Sequence, residues 1–391
     1  LRRKGRKEMQ IALIMIVMSP YLAFLPVVRM MYRVYKDEMK ISLNPLNVGM
    51  GLLFVWALFT GIINKNILSV IGALGILAFA GMGVYFQNSF DDNEKVDKLL
   101  KSLFKISAVA AGIGLIEKAA SYFVDMTWVS NYFWSPNYIP SPEHYRIYST
   151  FGNPNVTGTW FAMMVLVSIY LLEKGKGKEK KIYLAGILIF AAALIFTGSK
   201  GATMGLEAAL LVYALFAKNA KTKKILMGIF IGVLVMAMLS PEVNHALNSR
   251  DSLWAQCLVL FAGKPVSGWG LFGIMEHIGN IHGHNIWITI ITTLGLMGLI
   301  LYVWIKTYIF RGLLMLREKE NPLAPLLAAV QGLVIAHGLV DFTMMTPQGG
   351  VVFFASAALI SSLTLKNENY PVFEVEKIHI YARKLSQKKI G

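Results

Sequence analysis

The chain has 391 residues, enough for two or three soluble domains, yet 55% are hydrophobic and only 15% charged. Soluble domains carry roughly a quarter charged residues, so this chain cannot coat a globule with polar surface and much of it must face lipid. A single cysteine, Cys257, excludes a disulfide framework or a cysteine-rich metal site, and the formal charge of +16 lies in short basic runs between apolar stretches, a pattern that orients a chain in a membrane and does not bespeak nucleic acid.

A helix needs about 20 mostly apolar residues to cross the hydrocarbon core, and about eleven segments qualify: 9–28, 45–63, 67–86, 102–124, 155–172, 182–198, 202–217, 225–240, 285–305, 322–341 and 350–365. The expected fold is an all-α polytopic bundle of about 11–12 transmembrane helices, one integral membrane domain over 1–391, with a large external loop at 241–284 and a tail at 366–391. The first span follows Arg2, Arg3, Lys4, Arg6 and Lys7 but has no small-residue cleavage site, and Pro20 and Pro26 interrupt it. It reads as a retained helix and not as a signal peptide.

Orientation follows the basic loops. Segment 173–181 holds five lysines and 218–224 holds four; Lys306, Arg311, Arg317 and Lys319 mark 306–320, and six basic residues mark the tail. All fall on one side if the spans alternate, and that side is the cytoplasm. Segments 125–154 and 241–284 then face outward. Alternation puts the basic N-terminus outside, against the rule, so either upstream residues are missing or one of the first four spans is a re-entrant or interfacial segment.

The outward segments are crowded with polar and aromatic residues. Trp128, Tyr132, Phe133, Trp134 and Tyr138 read as an interfacial aromatic belt. In Arg146 to Asn155, Asn153-Pro154 opens a turn and Asn155 is placed to cap the next helix, while Arg146 has no obvious structural partner. The turn Thr197-Gly198-Ser199-Lys200-Gly201 reads either as an anion site, with glycine N–H groups, a lysine and a helix N-terminus together, or as a tight hairpin with a snorkelling lysine. It lacks the full phosphate-loop spacing and no strand precedes it.

In the second loop, residues 248–262 predict an amphipathic helix along the membrane surface, with Trp254 and Phe261 inward. The loop closes on Glu276-His277-Ile278-Gly279-Asn280-Ile281-His282-Gly283-His284-Asn285. His282 and His284 match no helical zinc signature, so no metal is expected. His284, at the mouth of a helix, is placed to act as a general base, while His277 and His282 read as solvated surface residues. His337 and Asp341 lie four apart and share a helix face.

His284-Asn285, nine residues, Gly295, two residues and Gly298 form H-N-x9-G-x-x-G. This resembles the signature of the O-antigen ligase and polymerase family of bacterial membrane glycosyltransferases. Ser149 to Asn155, the T-x-S-[RK]-G turn at Thr197 to Gly201, and Arg250 at the head of the large loop resemble the same family in the same order, over roughly residues 45–365. The resemblance implies a GT-C-like fold of about a dozen spans in the bacterial inner (cytoplasmic) membrane, with its active site on the outer face. It implies a donor glycan carried on undecaprenyl diphosphate, a glycan or lipid acceptor, membrane lipid as surroundings, and no cofactor or metal. By position, His284 matches the catalytic histidine and Arg250 and Lys200 the diphosphate-binding residues. Arg146, Asn153, Asn155, Asn285 and Asp341 are possible supporting residues. Lys200 departs from the commoner arginine and loses its planar fork. Polymerisation, ligation to a lipid core and protein glycosylation share this pattern, with a lean to polymerisation. The rival classes are a secondary transporter, with Glu117, Lys118, Glu207 and Asp341 lining a path, and a flippase for lipid-linked glycans.

Overall fold

The computed structural model describes residues 3–133, 141–238, 250–365 and 368–376. Trp134, Tyr138, the 241–249 part of the external loop, and 366–367 and 377–391 of the tail lie outside these. The described chain is a helical bundle: α1 Arg3–Met18, α2 Phe24–Lys36, α3 Pro45–Ile63, α4 Ile67–Ser89, α5 Asn93–Ala120, α6 Thr127–Tyr132, α7 Pro154–Lys174, α8 Lys178–Phe196, α9 Lys200–Phe216, α10 Ala220–Met238, α11 Asp251–Gly263, α12 Gly273–Ile278, α13 Ile286–Glu318, α14 Ala324–His337 and α15 Pro347–Thr364. Strands β1 Lys40–Ser42 and β2 Val372–Glu374 pair antiparallel, the one sheet among the described residues. Six helices (α3, α4, α5, α7, α13 and α15) are long and apolar enough to cross a membrane.

Short polar residues start many of these helices. Asn44, Asn66, Asp92, Asn153, Ser199, Asn285 and Thr346 each accept a hydrogen bond from a first-turn N–H, replacing the partner those amides lack within the helix. Pro45, Pro154 and Pro347 follow their caps, where a missing N–H is harmless. The cap of α7 is thus Asn153, not Asn155: Asn153 Oδ1 accepts from the Asn155 N–H at 2.8 Å. Helix α7 is the centre of the bundle, 89% of its apolar window being buried.

The expected first span, 9–28, is two helices. Pro20 lacks the N–H a helix interior requires and disfavours helical backbone at the residue before it, so α1 stops at Met18 and α2 starts at Phe24. The intervening turn meets the Arg146–Asn155 segment: Thr150 Oγ1 donates to Val17 O, and Gly152 packs on Pro20. The chain then returns, because β1 pairs with β2 beyond the far end of α15. The break adds one reversal that the sequence reading does not count. The turn at 19–23 belongs with the loops around His284, and the start of α1 with the lysine-rich loops. That same end is tied by Asn321 to Asn93 and by ion pairs between Lys174 and Asp97 and between Lys218 and Glu320.

Three further expectations change. The helix foreseen at 248–262 is Asp251–Gly263; Cys257 is buried and Trp254 and Phe261 partly so, but Leu258 and Val259 point outward, 47% and 73% exposed. Apolar residues occupy both faces, so it is not amphipathic in the sense expected. Lys306 is not in a basic loop but inside α13, bonded to Gln331 Oε1 at 2.8 Å over the Phe353 ring. Glu117 and Lys118, which a transport path would use, pin a loop instead. Glu117 accepts from Tyr145 OH and the Tyr148 and Ser149 N–H groups, and Lys118 donates to carbonyls of Pro142, Glu143 and Tyr145.

Candidate active site

At the His284 end, the loop before α13 is tied to the turn after α14. Asn285 Oδ1 caps α13 through the Trp287 and Ile288 N–H groups, while its Nδ2 donates to Leu339 O at 2.9 Å. The Ile286 N–H donates to Gly338 O at 2.6 Å. Between these bonds and Gly283, whose N–H donates to Thr289 Oγ1, His284 takes a left-handed backbone, φ 49°. Such a conformation costs a non-glycine residue about 1–3 kcal/mol and persists only where its surroundings hold it. It turns the imidazole toward Asp341, whose Oδ1 lies 3.1 Å from His284 Nδ1.

Asp341 lies one turn past the end of α14 at His337, yet its N–H donates to His337 O at 3.0 Å and the two side chains stay adjacent, as their spacing predicts. Its carboxylate is buried, and Oδ1 also accepts the Phe342 N–H at 2.8 Å. Three imidazoles surround it: His284 Nδ1, His282 Nε2 at 3.7 Å and His337 Nε2 at 4.0 Å. Burial works to raise its carboxyl, but the His284 bond and the neighbouring imidazoles hold it below the ordinary carboxylate range. An ionised Asp341 draws the ring proton of His284 onto Nδ1, which leaves the lone pair on Nε2. The His284 side chain is 34% exposed, so that lone pair belongs to a ring that solvent reaches.

His282 is no solvated surface residue. Its side chain is only 18% exposed, it meets the His284 ring edge-on, and Phe342 covers it. Burial pushes its imidazole down to about 4 against the pull of Asp341, so it is neutral at pH 7. Its Nδ1 accepts the His284 N–H at 3.1 Å, which places the ring proton on Nε2, facing Asp341. His277 does match its expectation: it is exposed, bonded to Gly273 O and packed at a tilt against the Trp269 ring. His282, His284 and Asp341 offer ligating atoms within 4.8 Å of one another, a set of a kind that holds metal ions. The H-x-H spacing alone does not reveal this carboxylate.

The cations assemble from three segments. Arg146 does have partners: Nε donates to Thr197 O and Nη2 to Asn155 Oδ1, each at 2.7 Å. Its side chain crosses Gly198, where a Cβ would lie 3.3 Å from it and φ is +59°. Arg146 is close enough to Asp341 and Arg250 to feel both charges, and Arg250 in turn feels Asp341. Lys200 is exposed at the start of α9. The next residue, Gly201, packs on His337 so closely that a Cβ would sit 2.8 Å from the ring. Within the turn, the Ser199 N–H bonds Thr197 Oγ1 and the Ala202 N–H bonds Ser199 Oγ, so only part of the expected row of backbone donors faces a ligand. The structure therefore brings His284, Asn285, Asp341, Arg146, Asn153, Asn155 and Arg250 to one end, with Lys200 at its rim. His337, which its four-residue spacing pairs with Asp341, joins the cluster and is held through Nδ1 by Thr159 Oγ1 at 2.8 Å.

An apolar groove of about 490 Å³ adjoins this cluster. It runs between α3, α4, α13 and α15 and is lined by Phe79, Phe272, Phe342, Leu53, Ile71 and Met344 among others. Phe342 is shared: one side lines the groove and the ring edge meets His282. The chain matches no known family model and no curated protein.

Proposed function

We propose that this protein is an inverting membrane glycosyltransferase of the O-antigen ligase and polymerase type. It moves a glycan from an undecaprenyl-diphosphate carrier to an acceptor hydroxyl, and polymerisation of a surface polysaccharide is the preferred form of that reaction. The observation that carries the reading is the His284–Asp341 pair, set beside two arginines at one end of an apolar bundle. The acceptor oxygen attacks the anomeric carbon while His284 Nε2 takes its proton. The bond from that carbon to the diphosphate breaks on the opposite face, so the anomeric centre inverts. Charge growing on the leaving diphosphate is met by Arg250 and Lys200, with Arg146 behind them, in a site of low dielectric. Asp341 holds the tautomer and stabilises the imidazolium that forms.

The adjoining groove supports a lipid-borne donor, because a polyprenyl chain needs an apolar channel that ends at the diphosphate site. The added reversal at 19–23 supports a reading of twelve crossings, with the lysine-rich loops and the start of α1 in the cytoplasm and His284 on the outer face of the cytoplasmic membrane. A transport path gains no support from Glu117 and Lys118, whose polar atoms bind loop backbone. The test is reconstitution of the purified protein with a polyprenyl-diphosphate glycan and resolution of products on a gel. Wild type should extend or transfer the glycan, and His284→Ala should lose about a hundred- to ten-thousand-fold in rate. Equal turnover by His284→Ala would overturn the assignment.

A further inference from the structure

The side chains around Asp341 do more than orient a base. Three imidazoles point at one buried carboxylate, and one of them, His337, is 2% exposed with no partner for its Nε2. That atom is aimed at Asp341 Oδ2, 4.0 Å away, too far for a hydrogen bond. An unsatisfied buried polar atom is costly unless something completes the site. On the other side of the carboxylate, His282 Nε2 and His284 Nδ1 converge on Oδ1 at 3.7 and 3.1 Å. Two imidazole nitrogens and one carboxylate oxygen, on a loop pinned to α13 and α14, are the donor set that suits zinc, with nitrogen and oxygen at about 2.0–2.2 Å and a fourth position open to water.

We propose that His282, His284 and Asp341 bind a zinc-class divalent ion, and that the ion switches the transferase off. Binding and inhibition are separate steps, and only the second rests on the function proposed above. Without the ion, His284 carries its ring proton on Nδ1, toward Asp341, and Nε2 is the base. An ion bound to Nδ1 takes that lone-pair position, so the proton moves to Nε2. The ring stays neutral, but the atom that must accept a proton from the acceptor hydroxyl now holds one. His282 makes the opposite exchange: Nε2 binds the ion, its proton moves to Nδ1, and the His284 N–H loses the acceptor it has at 3.1 Å. No proton is gained or lost overall, and nothing is oxidised or reduced. With Oδ1 on the ion, Oδ2 remains for His337 Nε2, whose ring is already set by Thr159. Ligating carboxylates are commonly held by such an outer hydrogen bond.

The experiment uses the full chain, purified in detergent on a tag without histidines and titrated with zinc alone against a chromophoric chelator. One ion per chain is expected, with affinity falling at least about tenfold in His282→Gln and in Asp341→Asn and unchanged in His277→Ala. X-ray absorption at the zinc edge should show imidazole scattering. Asp341→Asn preserves shape, so loss of binding there does not stem from misfolding, and thermal melting of each variant checks this. Zinc should also stop glycan transfer by wild type at the concentrations that fill the site, EDTA should restore it, and the residual transfer of His282→Gln should resist zinc. Binding that is absent, or equal in all variants, overturns the site. A filled site with an undiminished transfer rate overturns the switch. If wild type transfers no glycan at all, the proposed function falls and the titration still decides the site.

Discussion

The Asp341 carboxylate offers the most discriminating single substitution, because two donors share its Oδ1. The Phe342 N–H and His284 Nδ1 both bond to that oxygen, at 2.8 and 3.1 Å. In Asp341→Asn the Phe342 N–H selects the amide oxygen for this position, since an amide NH2 there would face a donor. His284 thus keeps an acceptor on Nδ1 and keeps its productive tautomer, losing only the charge. A hydrogen bond to a charged group is worth about 1.5–3 kcal/mol and a neutral one about 0.5–1.5. The difference, about 1–1.5 kcal/mol, corresponds to roughly a tenfold fall in rate. Asp341→Ala removes the acceptor altogether, frees the ring to take either tautomer and strands the Phe342 N–H. Its rate should fall at least about a hundredfold, toward that of His284→Ala. Initial rates of glycan transfer, at matched protein in proteoliposomes, measure both. If Asn is as impaired as Ala, charge and not tautomer is what Asp341 supplies, and the reasoning fails; if Ala is as active as wild type, Asp341 has no role in transfer.

Further expectations concern the cations, metal removal and topology. Arg250→Ala should raise the donor KM and lower kcat, Arg250→Lys should recover only part because the planar fork is lost, and Lys200→Arg should transfer normally; normal kinetics in Arg250→Ala would remove it from the donor site. Transfer should persist in excess EDTA, and activity lost there but returned by a divalent ion would make His282 and His284 ligands of a working metal. Cysteine placed at Asn280 or Tyr21 should react with an impermeant maleimide from outside the cell, and cysteine at Gly177 or Lys36 should not; labelling at Lys36 with silence at Tyr21 would refute the two-helix reading of the first span. Native Cys257 should stay silent in this assay until the protein is denatured, because it is fully buried and burial pushes its thiol up to about 11.

Much of this arrangement is legible in the sequence, and the missing parts share a cause. Apolar length finds the long helices, and Asn153-Pro154 and His284-Asn285 mark helix starts because caps are local chemistry. The break at Pro20 is also local and Pro20 marks it in the sequence, yet hydropathy averaged over 9–28 reads the segment as one helix. The partners of Arg146, by contrast, are 51 and 9 residues away, and no periodicity predicts them. His282 looks solvated in sequence because nothing nearby covers it; the residue that does is Phe342. His337 sits four residues before Asp341, which on a continuous helix would mean one face. Although α14 ends between them, the turn keeps the pair adjacent, with His337 Nε2 facing Oδ2 while His284 and His282 face Oδ1.

Gly295 of the H-N-x9-G-x-x-G pattern has a structural role that the pattern alone does not reveal. Gly295 interrupts α13 with φ 67°, and a Cβ there would lie 2.1 Å from Val266 O. The interruption exposes backbone of α13 to the segment after α11: Trp269 N–H bonds Thr292 O, Gly270 N–H bonds Thr293 O, and Leu296 N–H bonds Pro265 O. Gly268 meets Thr293 just as closely, a Cβ there falling 2.4 Å from its carbonyl. One turn earlier, Thr292 Oγ1 donates to Cys257 O within α11, and Gly283 faces the Cys257 sulfur. The loop that begins with Arg250 is thereby strapped along the same helix that begins after His284. Under the proposed function, Arg250 and His284 act from separate segments and must hold their spacing to within a fraction of an ångström for in-line transfer. Backbone bonds across a glycine kink fix that spacing more rigidly than side-chain contacts between the two segments would.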